Sequence, residues 1–187
     1  MRLAKGTAEG MTTETARRRF REVVVPSLDD AYSLAKWLSG NGADAEDIVQ
    51  ESAIRALNAL ERSLVENPRA WFLRIVRNTA LTWIAKNRHK ALSFAGDLTD
   101  LELREDLEFV EPAPSAEQIL VAAEDGESVR RAIADLPSPL KETLILREVN
   151  GLNYREIAVA TETPLGTVMS RLARARAALA KSLGATR

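Results

Sequence analysis

The 187-residue chain contains no cysteine and one histidine. Without cysteine there is no disulfide framework, no thiolate zinc site and no cysteine nucleophile. The single imidazole, His89, sits among Lys86, Arg88 and Lys90, a setting that repels a metal cation, so no metal site and no cofactor are expected. No apolar run approaches the roughly 20 residues of a membrane span, and the N-terminus lacks the apolar core of a signal peptide. A cytoplasmic protein without membrane insertion is expected. No segment of useful length alternates with the period of a strand, and no internal repeat is present. No acidic cluster faces a nucleophile or a basic pocket, so no catalytic residue is assigned and a nuclease is disfavoured.

Net charge is also scarce: 26 basic residues against 27 acidic give a formal value of −1. The distribution is more informative than the sum. Residues 67–95 carry six Lys/Arg and no acid, residues 96–117 carry eight acids and one Arg, and residues 165–187 carry five basic residues and no acid. Two basic blocks separated by an acidic one suggest two contact surfaces on an anionic partner.

What remains is helical periodicity. The pattern predicts an all-α protein of two small helical domains joined by a flexible linker. A loose tail is expected over 1–16, a first domain over 17–92, an acidic linker over 93–114 and a second domain over 115–187. In the first domain, Arg17, Arg18, Arg19 and Arg21 precede Pro26, and a helix over 28–39 places Ala31, Leu34, Ala35 and Leu38 on one stripe before Gly40-Asn41-Gly42 ends it. Asp44 is the expected cap of the next helix, from Ala45 to about Leu60. Ile48, Val49, Ser52, Ala53, Ala56, Leu57 and Leu60 face its core, and Glu46, Asp47, Gln50 and Glu51 lie largely on the other side. Asn67-Pro68 opens a third helix, with Leu73, Val76, Ala80 and Ile84 inward and Arg74, Arg77, Asn78, Lys86 and Arg88 on a polar, basic side. Trp71 reads as core. Trp83 suits either the core or a stacking surface for single-stranded DNA, where a ring contributes about 1–3 kcal/mol per base.

In the second domain, Ser115 and Gln118 form a capping-box pair, Gly126 weakens the helix midway, and Pro137 and Pro139 break the chain. Leu140, Leu144, Ile145 and Val149 line the next helix, which Gly151 terminates. Asn153 and Glu156 then form a second capping pair, Glu162-Thr163-Pro164 break the helix, and a last helix from about Gly166 aligns Val168, Leu172, Ala175 and Leu179. Ser170, Arg171, Arg174 and Lys181 occupy the opposite face. A short helix, a break and a basic second helix make a helix-turn-helix, whose second helix fits the major groove of DNA. Helical hairpins with one basic face are also common as solvated surface.

Two strings carry a resemblance. GLNYREIAVATETPLGTVMSRLARARAAL resembles the promoter-reading helix-turn-helix of bacterial sigma factors, whose usual form is G-L-S-Y-E-E-I-A…P-x-G-T-V-x-S-R-L-x-R-A-R. DAEDIVQESAIRAL resembles the D-A-E-D-[LIV]-V-Q-E signature of extracytoplasmic-function sigma factors of the sigma-70 family, and the two occur in the family's order. The resemblance runs from about Phe20 to Leu183. It implies a protein that binds core RNA polymerase and directs promoter-specific initiation of a stress or envelope-response regulon. In this reading Glu46, Asp47, Gln50 and Glu51 dock on the clamp coiled coil of the largest subunit, and the polymerase flap is a further contact. Arg74, Arg77, Asn78, Trp83, Lys86 and Arg88 meet the minus-10 DNA, with the loop from Glu61 to Pro68 near the pocket for the flipped base. Thr167, Met169, Ser170, Arg171, Arg174 and Arg176 meet the minus-35 DNA. Family members thread the linker near the active-site cleft, and an anti-sigma factor is a candidate partner.

Three positions depart from the family pattern. Thr82 stands where Asp or Asn is usual, so no function is carried onto it. Glu162 occupies a turn position where glycine is commonest, at a cost of roughly 1 kcal/mol if φ is positive. Met169 stands where Lys or Arg often contacts DNA. The alternative is a helix-turn-helix regulator that never joins polymerase; the string from Asp44 to Glu51 argues against it.

Overall fold

The computed structural model describes residues 15, 17–60, 65–92 and 126–184, with side chains up to Asn87 in the middle segment. The tail over 1–14, the acidic linker, the Ser115–Gln118 capping pair, the side chain of Arg88 and residues 61–64 of the candidate pocket loop lie outside the described residues. Among the described residues every regular element is helical, as the sequence predicts.

A helical lead-in over 17–23 reaches a 3-10 turn, Val25–Ser27, that accommodates Pro26, and α1 follows over Leu28–Ser39. Gly40, at φ 87, ends α1 by donating its N–H to Lys36 O. Helix α2 runs over Gly42–Leu60. It starts earlier than the expected Ala45, because Asn41 caps it: Asn41 Oδ1 accepts from the Asp44 N–H (2.8 Å), and Asn41 Nδ2 donates to Asp44 Oδ2 (2.6 Å). Asp44 is therefore the first-turn partner and not the cap. Ala45, Ile48, Ser52, Ala56 and Leu60 form its buried stripe. Helix α3 spans Pro68–Leu92, with Asn67 Oδ1 accepting from the Ala70 N–H (3.2 Å). Phe72, Leu73, Val76 and Ala80 are fully buried, whereas Ile84 is half-buried. Trp71 and Trp83 both pack against this core from its edge.

The second unit holds α4 (Gly126–Ala134), α5 (Ser138–Glu148), α6 (Tyr154–Thr161) and α7 (Leu165–Gly184). Pro137 breaks the chain, but Pro139 lies within the first turn of α5, where no intrahelical N–H is needed. Gly126 opens the described helix, and the part of the expected helix before it lies outside the described residues. Asn153 and Glu156 complete the expected capping box on α6. Glu162, at φ 55, is the one non-glycine residue with positive φ among those described. The left-handed turn lets Thr163 donate its N–H to Ala158 O (3.2 Å) and sends the chain into α7.

The two units are packed on each other. Helix α3 lies against α6, and α1 against α5. One apolar cluster runs from Val24, Leu34 and Phe72 through to Ile145, Leu152, Ile157 and Leu172. A smaller cluster of Ala132, Leu136, Leu144, Ala175 and Leu179 ties α4, α5 and α7 together. Each fully buried Leu, Ile or Phe side chain contributes about 1.5–3 kcal/mol, so these clusters set the angles at which the polar faces are presented.

Candidate functional site

The acid-amide face of α2 is solvent-facing: Glu46, Asp47, Gln50 and Glu51 are all exposed. Their register follows from the stripe beneath them, since each lies one or two residues from a buried Ala45, Ile48 or Ser52. Glu51 pairs with Arg55 (2.8 Å) across one helical turn; both are exposed, so the pair adds only tenths of a kcal/mol. A groove of about 400 Å³ runs between α2 and α3. Asp47, Gln50 and Glu51 form one wall, and Thr82, Trp83 and Lys86 the other. The structure thus brings residues expected to meet a protein and residues expected to meet DNA to one groove. Ile54 in this groove is 53% exposed and was not singled out from the sequence; its signal was an apolar residue in the polar column of α2. Thr82 Oγ1 donates to Asn78 O (2.9 Å), a bond within its own helix. The Trp83 ring is half-buried against the core, so one edge of it is available to the groove.

On α3, Asn78 is exposed and Lys86 is exposed. Arg74 reaches Glu162 of the helix-turn-helix turn (3.3 Å) at an exposed site. Arg77 is committed further. It donates through Nε to Glu142 Oε2 (2.6 Å) and through Nη2 to Oε1 (3.0 Å), and through Nη1 to Asn78 Oδ1 (3.0 Å). The side chains of Arg77 and Glu142 are 16% and 2% exposed.

On α7, Met169 is 48% exposed and Thr167, Ser170 and Arg174 are half-buried. Ser170 Oγ donates to Thr167 O (3.0 Å), and Arg174 Nε makes a long bond to Ser170 O (3.4 Å), leaving most of its fork free. Arg171 and Arg176 differ from the expected outward placement. Arg171 is 17% exposed and lies 3.7 Å from Glu142 Oε1. Arg176 Nη2 donates to Glu148 Oε1 (2.8 Å). The reason is angular: at about 100° per residue, Arg171 and Arg176 lie only about 70° either side of the centre of the buried Val168–Leu172–Ala175–Leu179 stripe, so both meet the neighbouring helix α5. The hydrogen bond to Glu148 also raises the Arg176 pKa above its ordinary value, against the opposing effect of burial. Likewise the hydrogen bond to Asp30 raises that of Arg69.

Glu142 was missed in the sequence. Its signal was a carboxylate three and four residues before Ile145 and Leu146, on a stripe that is otherwise apolar. Among the described residues no group of three His, Cys, Asp or Glu is arranged to hold a metal ion, and no helix is long and apolar enough to cross a membrane.

Comparison with known proteins follows this division. Residues 24–90 match the family model for Sigma-70 region 2, and residues 126–179 that for Sigma-70, region 4. The ECF RNA polymerase sigma-E factors of Salmonella typhimurium and Escherichia coli are 34% identical to the chain over 164 residues, covering 87% of it and 85% of each of them. The ECF RNA polymerase sigma factor SigE of Mycolicibacterium smegmatis is 32% identical over 165 residues, 61% of its length. Among solved structures, the sigma factor RpoE in complex with the anti-sigma factor NepR from Bartonella quintana superposes with a TM-score of 0.68 at 24% identity, covering 91% of this chain and 99% of that one. CnrH in complex with the cytosolic domain of CnrY gives 0.65 at 21% identity, covering 95% and 96%. At these identities the two structures establish the shared fold.

Proposed function

The chain belongs to the extracytoplasmic-function sigma factors of the sigma-70 family, and from that premise we propose how its two units divide the work of directing transcription initiation. The observation that carries the division is the order of the two family matches, each falling on a helical unit with its own exposed polar face. The exposed face of α2, with Glu46, Asp47, Gln50 and Glu51, docks on the clamp coiled coil of core RNA polymerase. Four polar residues over a rigid apolar stripe suit a basic or mixed protein surface and not DNA, whose phosphates they would repel.

Helix α3, and not the groove it shares with the acids of α2, carries the minus-10 interaction. Asn78, Trp83 and Lys86 face solvent at least in part, and Arg74 and Arg77 lie on the same helix. Asn78 selects the melted base, Trp83 offers a ring edge, and the cations neutralise phosphate. Arg88 belongs to this group by sequence position. Helix α7 carries the minus-35 interaction. Thr167, Met169, Ser170 and Arg174 present the reading surface. Arg171 and Arg176 support it from behind, through Glu142 and Glu148 of α5. An arginine fork free to pair with guanine is worth about 1–3 kcal/mol of discrimination, and Arg174 is the residue placed to supply it.

The chain contributes recognition, not a catalytic group; RNA synthesis belongs to the polymerase. Its site of action is the cytoplasm, where that enzyme works. An anti-sigma factor is a fitting partner, since the neighbour RpoE was solved with one.

Run-off transcription with core enzyme on genomic fragments tests the assignment. Core polymerase is expected to start at defined sites only when the chain is added. Binding of the chain to those fragments with no effect on transcription, and no co-purification with core enzyme, would identify a regulator that does not join polymerase.

A further inference from the structure

We propose that Leu165 and Met169 form an apolar strip that recognises thymine C5-methyl groups in the minus-35 duplex, so that the leading turns of α7 select A·T pairs while Arg174 selects guanine. This rests on the reading above that α7 enters the major groove.

Among the described residues six large apolar side chains are exposed, and two of them, Leu165 at 39% and Met169 at 48%, stand one turn apart at the start of α7. A single exposed apolar residue is ordinary surface, but side chains at i and i+4 are neighbours and present one patch. Neither belongs to the core, since the buried stripe of this helix is Val168, Leu172, Ala175 and Leu179.

No charged residue lies between Leu165 and Ser170. The first on the helix, Arg171, turns to Glu142 (3.7 Å), and Arg176 turns to Glu148 (2.8 Å). The leading turns therefore meet a base edge with aliphatic groups and hydroxyls and without a cation. Gly166 stands beside the strip. Its φ is not positive, and no atom of the chain lies within 4 Å of the point where a Cβ would be. Neither backbone conformation nor internal packing calls for glycine there, and its bare backbone leaves room for a body from outside.

In a helix-turn-helix the N-terminal residues of the second helix contact base edges. The thymine methyl is the apolar mark by which the major groove distinguishes a base pair. Leu165 and Met169 can take that methyl out of water. A G·C pair would set the cytosine amino group and the guanine O6 and N7 against side chains that cannot pair with them, leaving desolvated polar groups unsatisfied. The strip thus favours thymine and disfavours G·C at the same position. Arg174 stands five positions after Met169. At about 1.5 Å per residue that is roughly 7.5 Å along the helix, or about two base-pair steps of ~3.4 Å. Methyl and guanine are therefore read at different base pairs.

The test uses holoenzyme assembled from the full chain and core polymerase. The preferred minus-35 sequence is selected from a randomised library, and each of its thymines is then replaced in turn by deoxyuridine, which pairs identically and lacks the methyl. Uracil at one or two positions is expected to weaken binding about fourfold each. Those positions should differ from the base pair at which Arg174→Ala loses its preference. The double variant Leu165→Ala, Met169→Ala, at exposed positions and with helix propensity kept, should bring the thymine-over-uracil ratio there to about one. A defined minus-35 preference without A·T pairs, or one in which every uracil duplex binds as tightly as the thymine duplex, overturns the strip while the minus-35 assignment stands. Methyl discrimination that survives in the double variant overturns it as well. If the double variant instead loses capture by core polymerase while uracil has no effect on the parent, the strip is a protein contact and the proposal fails. Selection of no preferred minus-35 sequence removes the minus-35 reading itself, and the strip with it.

Discussion

Arg171→Ala separates the geometry of α7 from what its charge pattern suggests. As a base-reading residue, Arg171 would matter to DNA and little to folding. Its position indicates the reverse. Only 17% of its side chain is exposed, and it faces a carboxylate that is 2% exposed. Removing one partner of a buried pair costs about 3–5 kcal/mol when the other charge is left alone. Glu142 is not left alone, because Arg77 keeps its two shorter bonds, and the 3.7 Å approach of Arg171 is an ion pair without a short hydrogen bond. The loss should therefore fall to about 1–2 kcal/mol, part of it from the aliphatic stem of the side chain. For a chain of this size each kcal/mol moves the melting temperature by about 2–4 °C, so the variant should melt roughly 2–8 °C lower. Arg174→Ala, which removes a long bond to Ser170 O, should stay within about 0.5 kcal/mol of the parent. The assay pairs thermal melts with binding to a randomised minus-35 library. A double-mutant cycle with Glu142→Gln should give a coupling of about 0.5–3 kcal/mol. The reasoning is refuted if Arg171→Ala melts with the parent and loses preference at one base pair.

Other expectations concern the remaining faces. Asp47→Lys combined with Gln50→Ala should weaken capture of core polymerase in a pull-down while leaving the melt unchanged, because both residues are exposed. Asn78→Ala should flatten discrimination at one minus-10 position, visible as poorer permanganate reactivity of the opened strand; an equal loss across all sequences would assign Asn78 to general affinity. Met169→Arg puts a donor on an exposed position of α7, and selection from the randomised library should return a different preferred sequence, by about 1–3 kcal/mol at the altered base pair.

Local structure was legible from the sequence wherever neighbours in the chain decide it. The Asn153–Glu156 capping box, the Asn67 cap, the Gly40 stop and the left-handed Glu162 all involve groups within a few residues of one another. The buried stripes of α2 and α7 follow from the 3.6-residue period, because burial of apolar surface selects one face. Two matching strings in order were enough to identify the family. One local choice was misread: Asn41 and Asp44 both can cap, and the geometry that let Asn41 bond the Asp44 N–H prevailed. The partners of the arginines were beyond reach. Arg77 and Glu142 are 65 residues apart, and Arg69 and Asn150 are 81 apart. Periodicity says which residues lie beside a buried stripe, but not which helix will pass there or what charge it will carry. Arg171 and Arg174 read alike in sequence, three positions apart on a basic helix. Packing of α7 against α5 placed a dehydrated carboxylate beside the first and left the half-buried second with a long bond to Ser170 O of its own helix, and a charge deprived of water takes the nearest opposite charge.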